Sequence, residues 1–162
     1  MTGCTDSGLN LLQRTLDETI ESLVPQLESL LQTLAPAETV SCGPEDSGYK
    51  LTVPLAFPDG IGRGQVVARV FRYRDHVRLD VEIAHTRMFA RPDGSPSDRR
   101  CFLNDFVASA RIQPKGELPP EFRRYAVAGV HAARDAVQRH NRAQTAPWNQ
   151  VHVVDIGGAV TA

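Results

Sequence analysis

From Gly64 to Ala84 the sequence GQVVARVFRYRDHVRLDVEIA sorts apolar and polar side chains with a period of two. Val77, Leu79, Val81 and Ile83 fall on one side of an extended chain, and His76, Arg78, Asp80 and Glu82 on the other. Alternation of this kind marks a strand with one buried face, because successive side chains of an extended backbone point to opposite sides. Upstream, Val66, Ala68 and Val70 share a face opposite Val67, Arg69, Phe71 and Tyr73. The polar cluster Arg74-Asp75-His76 suits a short turn, so the segment predicts an antiparallel hairpin at the centre of the fold.

Before the hairpin, Leu9, Leu12, Leu16, Ile20, Leu23, Leu27, Leu30 and Leu34 recur every three or four residues. This spacing predicts a helix over residues 7–34, with Ser7 or Asn10 as its cap and Gln13, Asp17, Glu21 and Glu28 opposite the stripe. Pro25 lacks an N–H and its ring crowds the preceding turn, so the expectation is a kinked pair, 8–24 and 25–34. The stripe is long enough to serve a homodimer as well as the chain's own sheet. Leu16, Ile20, Leu23 and Leu27 are therefore the candidate dimer interface, the alternative being an ordinary core helix. Glu38 to Cys42 is a short strand candidate, Gly43 to Gly48 a turn, and Tyr49, Leu51, Val53 and Leu55 alternate as a further strand that Pro54 assigns to an edge or a strand end.

After Ala84 the alternation stops. Residues 85–100 are polar, with Pro92 to Ser97 as an exposed loop, and Leu103, Phe106, Val107 and Ala110 have the spacing of a short helix. Leu118-Pro119-Pro120 introduces a second long helix with the stripe Phe122, Ala126, Val130, Ala133 and Val137, off which Arg123, Arg134 and Arg142 largely lie. Ala146-Pro147-Trp148 breaks it, and Val151, Val153 and Ile156 suit a last strand or an extended arm. Elements segregated in this order predict an α+β fold, with an antiparallel sheet of three to five strands and helices packed on one face. Residues 1–7 read as a flexible N-terminus, 8–156 as one domain and 157–162 as a flexible tail.

Composition changes the picture in two places. The chain has 162 residues with ordinary hydrophobic and charged fractions, 41% and 23%, so it suits one domain with a real core. Its N-terminus has neither the basic nor the apolar region of a signal peptide, no run approaches the length of a membrane span, and Cys4, Cys42 and Cys101 are odd in number and far apart. A reduced, cytoplasmic setting without membrane contact is the expectation. Charge is strongly segregated: residues 1–60 hold nine acids against two bases, and residues 61–162 sixteen bases against ten acids. Such a dipolar chain either packs its acidic helix beside its basic part or offers the basic part to an anionic partner.

Candidate chemistry is sparse. His131 and His140 stand nine apart, about 13 Å along a helix, and cannot share a metal; no CxxC or HExxH pair occurs, so no metal and no cofactor is expected. Cys101, His85 and Asp105 could form a nucleophilic set on paper, but a cysteine opening an apolar segment more often acts as a small hydrophobe. Asp80 and Glu82 alternate with Arg78 and suit a salt-bridge ladder better than an acid–base pair. Gly60-Ile61-Gly62-Arg63-Gly64 opens a strand, whereas phosphate loops open a helix. No catalytic residue is assigned and no enzyme is expected.

The hairpin is the better functional candidate. Arg63, Arg69, Arg72, Arg74 and Arg78 cluster there with Phe71 and Tyr73 among them. Cations interleaved with aromatics on a strand can follow a phosphate backbone and stack on bases, so Arg69, Arg72, Arg74, Arg78, Phe71 and Tyr73 form a candidate surface for single- or double-stranded DNA or RNA. The same pattern suits the solvent face of a sheet, and no established nucleic-acid motif accompanies it.

A leucine-rich leading helix, NLLQRTLDETIESLVPQLESLL, precedes KLTVPLAF, GQVVARVFRY and HVRLDVEIA, with helices after them. In this element order the chain resembles the YbjN and type III secretion chaperone-like proteins over roughly residues 8–137. The resemblance implies a small, usually dimeric α+β protein that binds other proteins and does not catalyse. It carries no motif and assigns no functional residue. The leading expectation is a non-catalytic, chaperone-like or adaptor homodimer that binds a protein partner through its sheet and helices, for which strand addition offers a route. The alternative is a nucleic-acid-associated protein using the Arg-rich hairpin.

Overall fold

A computed structural model describes residues 3–58, 63–88 and 100–145. Helix α1 (Gly3–Leu34) is followed by strands β1 (Ser41–Glu45), β2 (Gly48–Leu55), β3 (Gly64–Tyr73), β4 (His76–Met88) and β5 (Arg100–Ile112), and then by helix α2 (Pro120–Thr145). The strands pair in chain order as a five-stranded antiparallel meander, and the fold is α+β. Helix α1 lies against β2, β3 and β4, and α2 against β4 and β5.

One strand face supplies the core. Leu51 and Val53 of β2, Val66, Ala68 and Val70 of β3, and Val77, Leu79, Val81 and Ile83 of β4 are all fully buried beneath the helices. Their alternation is what makes a single face possible. Helix α1 answers with Leu16, Ile20, Leu23, Leu27, Leu30, Leu31 and Leu34, and α2 with Phe122, Ala126 and Val130, in the same cluster. At about 25 cal/mol per Å² of apolar surface buried, each of these leucines stabilises the fold by roughly 1.5–3 kcal/mol. The proposed dimer residues are thus already consumed: Leu16 and Ile20 are 2% exposed, and Leu23 and Leu27 0%. A homodimer needs another surface. The exposed leucines of α1 are Leu9 and Leu11, in the turns preceding the buried stripe.

Further expectations require correction. Helix α1 is one element from Gly3 to Leu34 with Pro25 inside it, so Pro25 does not divide it into two helices. The proline has no N–H for the carbonyl four residues back, and beside it the Gln26 side-chain amide donates to the carbonyl of Ser22 at 3.2 Å. The first strand runs from Ser41 to Glu45 and takes in Gly43 and Pro44, which composition had assigned to the turn; the turn itself is Asp46-Ser47, with Ser47 at a φ of 65°. His76 pairs with Tyr73 as the first residue of β4, so the central turn is only Arg74-Asp75.

The largest correction is β5. Leu103, Phe106, Val107 and Ala110 lie on a 13-residue strand, not a short helix. The ladder to β4 shifts register between Val81 and Glu82, so that Val81 pairs with Ala108 while Glu82 pairs with Phe106. The extra residue, Val107, converts a period of two into an irregular spacing that mimics a helix. The expected 92–97 loop and the 151–156 strand lie outside the described residues. Helix α2 approaches the bulge closely: a Cβ on Gly129 would sit 2.6 Å from Cγ1 of Val107.

Candidate binding surface

The second face of the sheet carries the side chains that alternation turns away from the helices. In register across the central strands stand Val67, Glu82 and Phe106, then Arg69, Asp80 and Ser109, then Phe71, Arg78 and Arg111. Of the six residues singled out for nucleic-acid binding, Arg69, Phe71, Tyr73 and Arg78 lie on this face, and Arg74 occupies the turn that closes it. Arg72 does not. It follows Val66, Ala68 and Val70 to the helix side, where its Nε lies 2.8 Å from Oδ1 of Asp17 on α1. The Nε–H is not aimed for a hydrogen bond, so the contact is an ion pair only.

Carboxylates neutralise much of the remaining positive charge. Arg69 spans Glu82 at 3.1 Å and Glu45 at 3.4 Å, and Arg78 Nε meets Asp80 Oδ1 at 3.1 Å. The same Asp80 oxygen accepts the Ser109 hydroxyl at 2.9 Å, and Asp80 is only 8% exposed. The face is therefore a knit polar surface and not a bare basic stripe. Apolar groups interrupt it: Phe106 is 57% exposed and Tyr73 40%.

At the hairpin end, Tyr73, His76, Arg78, Ser109, Ala110 and Arg111 line an open hollow of about 230 Å³. His76 is 3% exposed, and its surroundings fix its tautomer. Arg111 Nε, a donor only, lies 3.1 Å from His76 Nε2, which must accept; Nδ1 then carries the proton and donates to Asp75 Oδ1 at 3.1 Å. That bond, with the hydrogen bond of Asp75 to its own backbone, holds the Asp75 carboxyl below its ordinary value. The guanidinium groups of Arg74 and Arg78 lie 5.3 and 5.8 Å from the centroid of the Tyr73 ring. Arg74 keeps a φ of 58°, a backbone conformation that favours glycine.

His76, Ser109, Phe106 and Arg111 were not singled out from the sequence. His76 read as part of the turn, and the other three lie on the segment whose spacing mimicked a helix.

Elsewhere the geometry offers less to a ligand. His85 Nε2 and Asp105 Oδ2 stand 2.8 Å apart, as the paper triad required, but His85 is fully buried and its Nδ1 has no hydrogen-bond partner. Cys101 pairs with Arg87 in the ladder, and its side chain lies outside the description. The exposed thiol of Cys42 is pushed up by partial burial and by the charges of Glu28 and Glu21, the opposite of what a nucleophile needs. Among the described residues no group of three or more His, Cys, Asp and Glu could hold a metal ion, and no helix is long and apolar enough to cross a membrane. No family model, curated protein or solved structure matches the chain.

Proposed function

We propose that the chain is a non-catalytic adaptor or chaperone-like protein of the cytoplasm that takes a protein partner on the sheet face that neither described helix covers. The observation that carries this reading is the composition of that face: Phe106 and Tyr73 exposed among Arg69, Arg78 and Arg111, with Glu82, Glu45 and Asp80 pairing part of the charge. Aromatic and arginine side chains dominate the binding energy of protein interfaces, and mixed charge suits a mixed partner surface better than a polyphosphate. The likeness in element order to YbjN and type III secretion chaperone-like proteins points the same way. Strand addition at the long edge strand β5, which pairs only with β4 among the described residues, is a second way for the same partner to dock.

The nucleic-acid reading retains one specific support. Arg74 and Arg111 have no carboxylate partner among the described residues, and the Tyr73 ring beside them is exposed. Two phosphate contacts would give a slope of only about −1.4 for log K against log salt on single strands. Affinity capture from native lysate, with and without nuclease, separates the two. Partners that survive nuclease with the parent chain and are lost with Phe106→Ala/Tyr73→Ala support the adaptor reading. Partners lost on nuclease treatment overturn it in favour of nucleic acid.

A further inference from the structure

Arg78 and Arg111 are direct partners across the β4–β5 ladder, and both line the hollow at the hairpin end. Like charges placed opposite one another on a sheet destabilise it unless something lies between them. Each guanidinium is held through its Nε, one by Asp80 and one by His76, and no other hydrogen bond engages either group among the described residues. Their Nη edges are therefore positioned but unused. Arg74, like Arg111 without a carboxylate partner among the described residues, adds a third cation above the Tyr73 rim.

We propose that this hollow is an oxyanion site, in which the Nη donors of Arg78 and Arg111 bind a phosphate or sulfate group between them. Guanidinium groups match such anions because two parallel N–H bonds reach two oxygens of one group. The hollow, about 230 Å³, exceeds the roughly 30 Å³ share of one water severalfold, so a tetrahedral anion fits with solvent to spare. The Ser109 hydroxyl is spent on Asp80, and the arginines supply the charged donors. Asp80 and Asp75 offset part of the charge of the three arginines, so recognition depends on the positioned forks and not on a large net field. The buried His76 acts as a brace: it holds Arg111 in place and is itself held by Asp75. The site extends beyond the adaptor reading, since it requires no particular macromolecule.

The test is a titration of the full chain with inorganic phosphate, followed by amide chemical shifts, with sodium chloride at matched ionic strength as control. Saturable shifts confined to residues 73–78 and 109–111 are expected with phosphate and not with chloride. Arg111→Gln should weaken binding about ten-fold or more, as the loss of a charge-assisted pair implies, and Arg111→Lys should not restore it, because a lysine lacks the fork. Arg123→Gln, on α2, should leave binding unchanged. If Arg111 merely props the sheet, Arg111→Gln destabilises the chain equally with and without phosphate, and the proposal falls. It falls also if chloride reproduces the shifts, or if Arg78→Gln and Arg111→Gln both bind phosphate as the parent does. O-phosphoserine binding tighter than inorganic phosphate assigns the site to a phosphorylated side chain; the reverse order assigns it to the free anion.

Discussion

The two faces of the sheet come from the same residues taken alternately, yet they are built to opposite rules. On the covered face Val66, Ala68, Val70, Leu79, Val81 and Ile83 are fully buried in one apolar cluster with the helices, and polar pairs such as Arg72 with Asp17 stand at its margin. On the open face Arg69, Asp80, Glu82, Arg78 and Arg111 meet through ion pairs and hydrogen bonds that leave Phe106 and Tyr73 in solvent. Burial of apolar area accumulates with every methylene removed from water, whereas exposed ion pairs contribute little each. The covered face therefore holds the fold together, and the open face is free to be specific. Even so, Asp80 at 8% and His76 at 3% exposure show that the open face is ordered by its own contacts.

Substitutions can break this contrast. The largest effect is expected at Leu27, 0% exposed in the shared core. Leu27→Ala should cost about 2–5 kcal/mol in denaturant unfolding, the sum of lost transfer energy and the cavity left behind. Phe106→Ala, on the open face, should stay within about 0.5 kcal/mol. Equal costs at the two positions would mean that the open face is structural after all. A smaller loss, about 1–3 kcal/mol, is expected for Gly48→Ala, where a Cβ would lie 1.9 Å from the Val70 carbonyl oxygen and 2.7 Å from Phe71 Cα. Both obstacles are backbone, so β2 must move relative to β3. Thermal unfolding of Gly48→Ala beside Gly43→Ala, where nothing lies within 4 Å, checks this.

The contrast also explains what could be read from the sequence. The β3–β4 hairpin was legible because its period of two is unbroken from Val77 to Ile83, and α1 because its leucines keep helical spacing on both sides of Pro25. Strand β5 was not, because the bulge at Val107 changes the phase of its apolar residues, and only pairing with β4 reveals that phase. The hollow is hidden for the same reason: Arg111 faces Arg78 through a register that no local spacing encodes. Arg72 is different. Its parity with Val66, Ala68 and Val70 already placed it on the covered face, away from the surface to which residue type alone had assigned it.

The smallest expected effect sharpens the comparison from the open side. Arg69 reaches Glu82 at 3.1 Å, with side chains 27% and 15% exposed, and this is among the better-shielded ion pairs of that face. If the open face contributes specificity and not stability, a double-mutant cycle with Arg69→Gln and Glu82→Gln should give a coupling of about 0.2–1 kcal/mol. Glu45 also contacts Arg69, so Glu45→Gln belongs in the background of the cycle. In 1 M salt the Debye length falls to about 3 Å, comparable with the separation of the charges, and the coupling should shrink towards zero. The aliphatic core has no such dependence, so Leu27→Ala measured in the same buffers is the internal control. A coupling above about 2 kcal/mol that salt leaves unmoved would be a desolvated, structural ion pair. The two faces would then share the work of holding the sheet, and Arg69 would no longer be free to serve a partner.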